Sequence, residues 1–313
     1  MDKEILVKSL VDLQKETIGI ELYFLLKSGD IKLVELEDEL SNKLQNQFLK
    51  EVNFSFNEEA NFSLLEIDKL DDERANTYYY FDSQNMYEKV SFILKFAKKD
   101  THDKFSTKDS KLSDIGAFLI KIGNQDKNII LYKNQDGFNL LKKDTSIKIF
   151  QKGEFFEEVE SDILSITSSF DFLLIDEHLI IKNLKTLERT LSYTDVIHKK
   201  AISNIELIKT LNFLENLDGL EKHLKTTRLA KKFNKAQTSP VIKIIQDDVE
   251  RVIEFIKKHP VTKSKLKLNG DDKLILDTKI SVEIFLKLLD DDYLQSELTK
   301  LLYDSRSKDG LND

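Results

Sequence analysis

In FDFLLIDEHLIIKN, residues 170–183, two short apolar runs flank the polar pair Asp176-Glu177. Apolar runs on either side of a two-residue polar break read as a tight antiparallel hairpin. Working towards the N-terminus, GAFLIKI (116–122) and NIILYK (128–133) form a second strand pair, joined across Gly123-Asn124-Gln125-Asp126, and Asp136-Gly137 marks a further turn. The centre of the chain is therefore β-rich.

Further upstream the spacing alternates between types. Ile5, Leu6, Leu10, Val11 and Leu13 recur at helical intervals, and TIGIELYFLLKSGDIKLVEL (17–36) gives two β-like runs around Ser28-Gly29-Asp30. EDELSNKLQNQFLKEV (37–52) returns to helical spacing through Leu40, Leu44, Phe48 and Val52. FSLLEI (62–67) and TYYYF (77–81) read as strands and MYEKVSFILKFAKK (86–99) as a helix, so antiparallel hairpins and helices are expected rather than a regular βαβ series. Residues 98–114 are almost wholly polar and read as an exposed loop or an internal boundary.

Beyond Asn183 the character becomes helical. LKTLERTLSYTDVIHKKAISNIELIKTLNFLENL (184–217) and VIKIIQDDVERVIEFIKK (241–258) read as helices, the second ending before His259-Pro260. KSKLKLNGDDKLILD (263–277) reads as a hairpin with Asn269-Gly270 at its tip, KISVEIFLKLLDD (279–291) as a last helix and SELTKLLYDS (296–305) as a terminal strand. The expected fold class is α+β: an N-terminal and central antiparallel sheet region with packed helices, then a largely helical C-terminal part with a late β-hairpin. The expected division is a mixed region at 1–187 and a mainly helical region at 188–313.

Composition narrows the function classes. With 40% hydrophobic and 33% charged residues, the 313-residue chain reads as a soluble globular protein, and the absence of cysteine excludes disulfides and every thiolate metal site. The N-terminus has charges scattered through it and no uninterrupted apolar core, so no signal peptide is expected. The most apolar run, IGIELYFLL (18–26), is too short to span a bilayer and contains Glu21. Nine glycines are dispersed without a GxGxxG or GxxxxGK[ST] phosphate cradle, and no GxSxG elbow appears. The five histidines never stand at i,i+4, so no metal or cofactor is expected and enzymatic readings rest on carboxylates. Asp271, Asp272, Asp277 and Lys279 compose one such reading, a metal-dependent nuclease; the structural alternative places the first two in a polar turn and makes Asp277 a helix cap. Asp176-Glu177 is explained by an exposed hairpin tip.

Charge is distributed unevenly. Residues 222–268 hold 13 Lys and Arg against 4 Asp and Glu, a net +9, while the remainder carries −17, which together give the −8 of the whole chain. At 100° per residue, Arg228, Lys231, Lys232 and Lys235 fall within an arc of about 100°, opposite Leu229, Ala230, Phe233 and Ala236. The apolar phase of Leu217, Leu220 and Leu224 differs, so a break is expected near Thr226-Thr227, presenting Lys222 and Lys225 at another angle. No acidic residue lies between 224 and 246 to pair along the same helix. Such a ridge suits the phosphates of a nucleic acid, and the six cations are the expected DNA contacts; the alternative is an acidic protein surface. Because the wheel puts them opposite the apolar stripe, reversing Arg228, Lys232 and Lys235 to Glu is expected to leave the fold intact.

Two passages carry a family resemblance. SSFDFLLIDEHLIIKNLKTLERTLSY (168–193) and LKLNGDDKLILDTKISVEIFLKLLDDDYLQSELTKLLYDSRSK (266–308) resemble the KwaB family, the soluble component of the Kiwa anti-phage defence system. The likeness lies in the paired strands ending in Asn or Lys before a helix, and in the run from Leu288 through Asp290, Asp291, Asp292 and Tyr293 to Leu294, ahead of Ser296, Thr299 and Tyr303. The resemblance implies a cytoplasmic DNA-binding effector that self-associates, as a dimer, and is recruited to the inner membrane by KwaA, a small multi-spanning membrane protein. It carries over no catalytic set and no list of DNA contacts.

Overall fold

A computed structural model describes all residues except 17, 71–73, 100, 136–139, 142–148, 153–154, 159–161, 296–301 and 305–313. The expected turn at Asp136-Gly137, and Ser296 and Thr299 of the closing run, lie outside the described residues. The chain divides into two compact units, one of residues 1–67 and 75–191, the other of residues 68–74 and 192–313.

The first unit is built on an eight-stranded sheet. Its early strands are β1 (Gly19–Leu26), β2 (Ile31–Val34), β3 (Ser63–Glu66), β4 (Thr77–Asp82), β5 (Ile115–Gly123) and β6 (Asn128–Asn134). Two small two-stranded pairs follow: β7 (Leu140–Leu141) with β10 (Ile163–Leu164), and β8 (Ile149–Lys152) with β9 (Phe155–Glu158). The hairpin β11 (Phe172–Ile175) and β12 (His178–Ile181) then completes the order β2-β1-β5-β6-β11-β12-β4-β3. All neighbours are antiparallel except β3 and β4, which pair in parallel from Ser63 opposite Thr77, so those two strands are not the hairpin that a local reading suggests. The turn at Asp176-Glu177 holds both residues at positive φ, +46° and +64°, the mirror-image geometry that matches strand twist.

Both faces of this sheet are covered. Helices α1 (Lys3–Gln14) and α2 (Asp38–Phe56) press Leu6, Leu10, Phe48 and Val52 onto Leu22, Phe118, Ile120, Leu131 and Leu173. On the other face α3 (Glu88–Ala97) brings Phe96 edge-on to Tyr23, 4.8 Å between centroids, and Phe92 towards Tyr132. Two-sided burial explains the near-continuous apolar runs in β5 and β11. The polar segment 98–114 is not an internal boundary. Phe105 donates its N–H to Leu33 O and packs on Phe24, so the segment runs along β2 and covers that sheet edge.

The buried carboxylate of Asp171 ties the centre together. It accepts from Asn134 N at 2.7 Å and from Asn183 Nδ2 at 2.7 Å, joining the end of β6 to the segment after β12. Lys182 Nζ donates to Glu51 Oε1 and Ser55 Oγ of α2 and lies over the Phe170 ring.

The second unit is mostly helical. A π-turn at Thr186–Thr190 closes the first unit, and Ser192, at φ +58°, separates it from α4 (Tyr193–Thr210), dividing what the spacing suggested was one long helix. Then come α5 (Asp218–Leu224), α6 (Thr227–Ala236), α7 (Pro240–Asp247), α8 (Val249–Lys258), α9 (Pro260–Lys265) and α10 (Lys279–Leu289). Residues 241–258 also form two helices rather than one, because Asp248 leaves the helical region and its side chain accepts from Arg251 N to begin α8. The late hairpin β13 (Lys267–Leu268) and β14 (Leu274–Ile275) turns at Asn269-Gly270, and a last pair joins β15 (Tyr293–Gln295) to β16 (Leu302–Asp304).

Candidate nucleic-acid interface

The six candidate contacts lie on α5, at its C-terminal cap Lys225 and on α6. The break between the two helices falls at Lys225-Thr226, where Thr226 is extended and caps α6 at ψ 117°. The break is held from α4. His198 Nδ1 lies 3.1 Å from Leu224 O, which only accepts, so Nδ1 is the donor, and Nε2 lies 3.3 Å from Thr227 Oγ1. Along the same seam Asn234 Nδ2 donates to Ile197 O, and Asn204 Nδ2 to Asn234 Oδ1.

The apolar side of α6 is as the wheel placed it: Leu229, Ala230, Phe233 and Ala236 are all fully buried. The cationic side is less open than the wheel implied, because α6 is packed by α4, α5 and α10. Lys222, Lys225 and Arg228 are exposed, whereas Lys231, Lys232 and Lys235 are half-buried. Arg228 forms an ion pair with Glu283 of α10, and Lys235 Nζ lies 3.1 Å from Asp290 Oδ2 at the end of α10. Acidic partners absent from the helix itself are thus supplied 55 residues further along the chain. This corrects the expectation that charge reversal is harmless: Glu at 228 or 235 would face Glu283 or Asp290.

Beside Lys225, a groove of about 460 Å³ opens between α4 and α5. Ala201, Ile202, Ile205 and Leu224 line it with apolar surface, and Glu206 and Glu221 stand at its rim. The start of α5 is pressed against the chain that follows β14: a Cβ on Gly219 would lie 1.5 Å from Leu276 O, so only glycine fits there.

Two of the three carboxylates of the nuclease reading, Asp272 and Asp277, are drawn into ion pairs. Asp272 meets Lys257 at 2.7 Å and Asp277 meets Lys267 at 3.2 Å. Among the described residues no group of three or more His, Asp or Glu is placed to hold a metal ion. Asp277 is not the cap of α10 either. Thr278 is, its hydroxyl accepting from Ser281 N while Ser281 Oγ accepts from Thr278 N. Among the described residues no helix is long and apolar enough to cross a membrane.

A mostly antiparallel sheet unit, covered on both faces and followed by a helical unit with a cationic helix pair, defines an α+β protein of two compact units. The chain belongs to the Kiwa protein KwaB-like family, whose pattern matches residues 112–299 and so spans β5 to α10. It is 29% identical over 304 residues to Kiwa protein KwaB of Escherichia coli O55:H7 (strain RM12579 / EPEC), with 94% of each chain covered. No solved structure matches it.

Proposed function

We propose that this chain is the DNA-gripping component of a Kiwa anti-phage defence assembly. It holds phage DNA by its phosphates and obstructs use of that DNA without covalent chemistry. It does so in the cytoplasm, as a dimer, recruited to the inner membrane by a KwaA-type partner. The defence role is supported by family membership. The DNA role rests on one observation, the net +9 of residues 222–268 in a chain that is otherwise acidic, with Lys222, Lys225 and Arg228 exposed on α5, at its C-terminal cap and on α6. Lysines on a helix face neutralise phosphates and release condensed counterions, and they carry no sequence information. Lys222, Lys225, Arg228, Lys231, Lys232 and Lys235 form the proposed contact set.

The test is a mobility shift with unrelated duplexes, comparing the wild type with Lys222→Gln/Lys225→Gln. Loss of two phosphate contacts weakens binding roughly tenfold on every duplex and reduces the salt slope by about 2. Plasmid incubated with Mg²⁺ or Mn²⁺, with and without chelator, separates gripping from cleavage. Binding to acidic protein but not to bare DNA would favour an adaptor instead.

A further inference from the structure

Arg228 and Lys235 stand seven residues apart on α6, and their partners Glu283 and Asp290 stand seven residues apart on α10. Both pairs join residues 55 apart, so the two helices run in the same direction and meet in register. Seven residues are two helical turns, a rise of about 10.5 Å. The two carboxylates therefore hold the two ends of the ridge. The inner pair, at the Lys235 end, is only about one-fifth exposed; the Arg228 pair is more open.

From this geometry we infer that α10 is a built-in competitor for the DNA ridge: Glu283 and Asp290 hold Arg228 and Lys235 until phosphates displace them. This rests on the DNA-binding reading and adds a restraint to it. Lys222 on α5 and Lys225 at its C-terminal cap, both exposed and in none of the ion pairs among the described residues, make the first contacts; Arg228 and Lys235 join when α10 gives way. Asp290 belongs to the Asp290-Asp291-Asp292 run of the closing passage, which thereby gains a role in tuning affinity.

The experiment compares DNA affinity at fixed low salt for the wild type, Glu283→Gln/Asp290→Asn, and a charge-matched control, Asp247→Asn/Glu250→Gln. The control changes two exposed carboxylates of α7 and α8 that are not the partners of Arg228 or Lys235. Thermal melts establish that all three are folded. The ridge-facing variant is expected to bind about tenfold more tightly and the control less than about twofold. Adding Arg228→Gln/Lys235→Gln to the ridge-facing variant should remove the gain, as a double-mutant cycle requires. Equal gains in variant and control, or a gain that survives loss of Arg228 and Lys235, would overturn the restraint while leaving DNA binding standing. Absence of DNA binding in every form would overturn both.

Discussion

Lys235 Nζ sits 3.1 Å from Asp290 Oδ2, and each side chain is about one-fifth exposed. A pair this far withdrawn from water is worth more than an exposed ion pair, at most about 1 kcal/mol, and less than a fully buried one, where removing a partner costs about 3–5 kcal/mol. Asp290→Asn should lower stability by about 1–2 kcal/mol, and Lys235→Glu by more than Lys235→Gln. Urea midpoints measure both. A Lys235→Glu variant as stable as Lys235→Gln would show that the carboxylate does not face this lysine in solution.

Gly219 permits the contact that fixes the start of α5. Its missing Cβ leaves room for Leu276 O, and backbone cannot yield as a side-chain tip does. Gly219→Ala should cost about 3 kcal/mol or more, at the upper end of overpacking effects. It should also weaken DNA binding, because α5 carries Lys222. A variant that melts like the wild type would place α5 elsewhere.

Capping of α10 discriminates between adjacent residues. Thr278→Ala removes the hydroxyl half of a reciprocal capping box, leaving Ser281 Oγ to accept from the backbone N–H at 278, and should cost about 0.5–2 kcal/mol. Asp277→Ala removes a half-exposed pair with Lys267 and should cost no more than about 0.5 kcal/mol. The reverse order of denaturation midpoints would contradict this assignment. Metal-dependent DNA cleavage lost in Asp277→Ala would revive the nuclease.

Buried His259 and half-buried His102 are expected to make the fold sensitive to acid. His259 is stacked on Phe255 at 5.0 Å with Tyr293 at 4.8 Å, and His102 lies between Tyr23 and Phe96. Burial holds both below the ordinary 6.5, with Lys99 adding to the effect at His102. The unfolded chain therefore binds more protons than the native one once the pH falls below about 6.5. Their contribution is complete above that value and declines progressively beneath it. His259→Phe should flatten the stability loss between pH 6.5 and 5, measured as urea midpoints. Parallel curves for variant and wild type would assign the acid sensitivity elsewhere.

Legibility followed the range of the interactions. The 170–183 hairpin was readable because its turn and both its strands are local, even though Asp176-Glu177 supplies the left-handed turn without glycine. The parallel pairing of β3 with β4 was not, since nothing local distinguishes it from a hairpin. The break at Asp248 was hidden by an apolar period that continues across it, although an aspartate three residues before Arg251 is a capping signal. Thr278 could have been preferred over Asp277 from the residue three positions on, since Ser281 can return a hydrogen bond and Ile280 cannot. At the ridge, the buried face of α6 was written in its own period, whereas Glu283 and Asp290 come from a helix that only tertiary packing brings alongside.

The measurement that bears most directly on DNA gripping is the salt dependence of binding to a duplex of arbitrary sequence. Six phosphate contacts, one for each cation of the proposed set, give a slope of about −5.4 in log K against log salt, a loss on the order of a thousandfold between 50 and 200 mM, and doubling of the ridge in a dimer steepens it. The account predicts this slope on unrelated duplexes, reduced by about 2 when Lys222 and Lys225 are neutralised. An affinity indifferent to salt, or a slope unchanged in that variant, would contradict it.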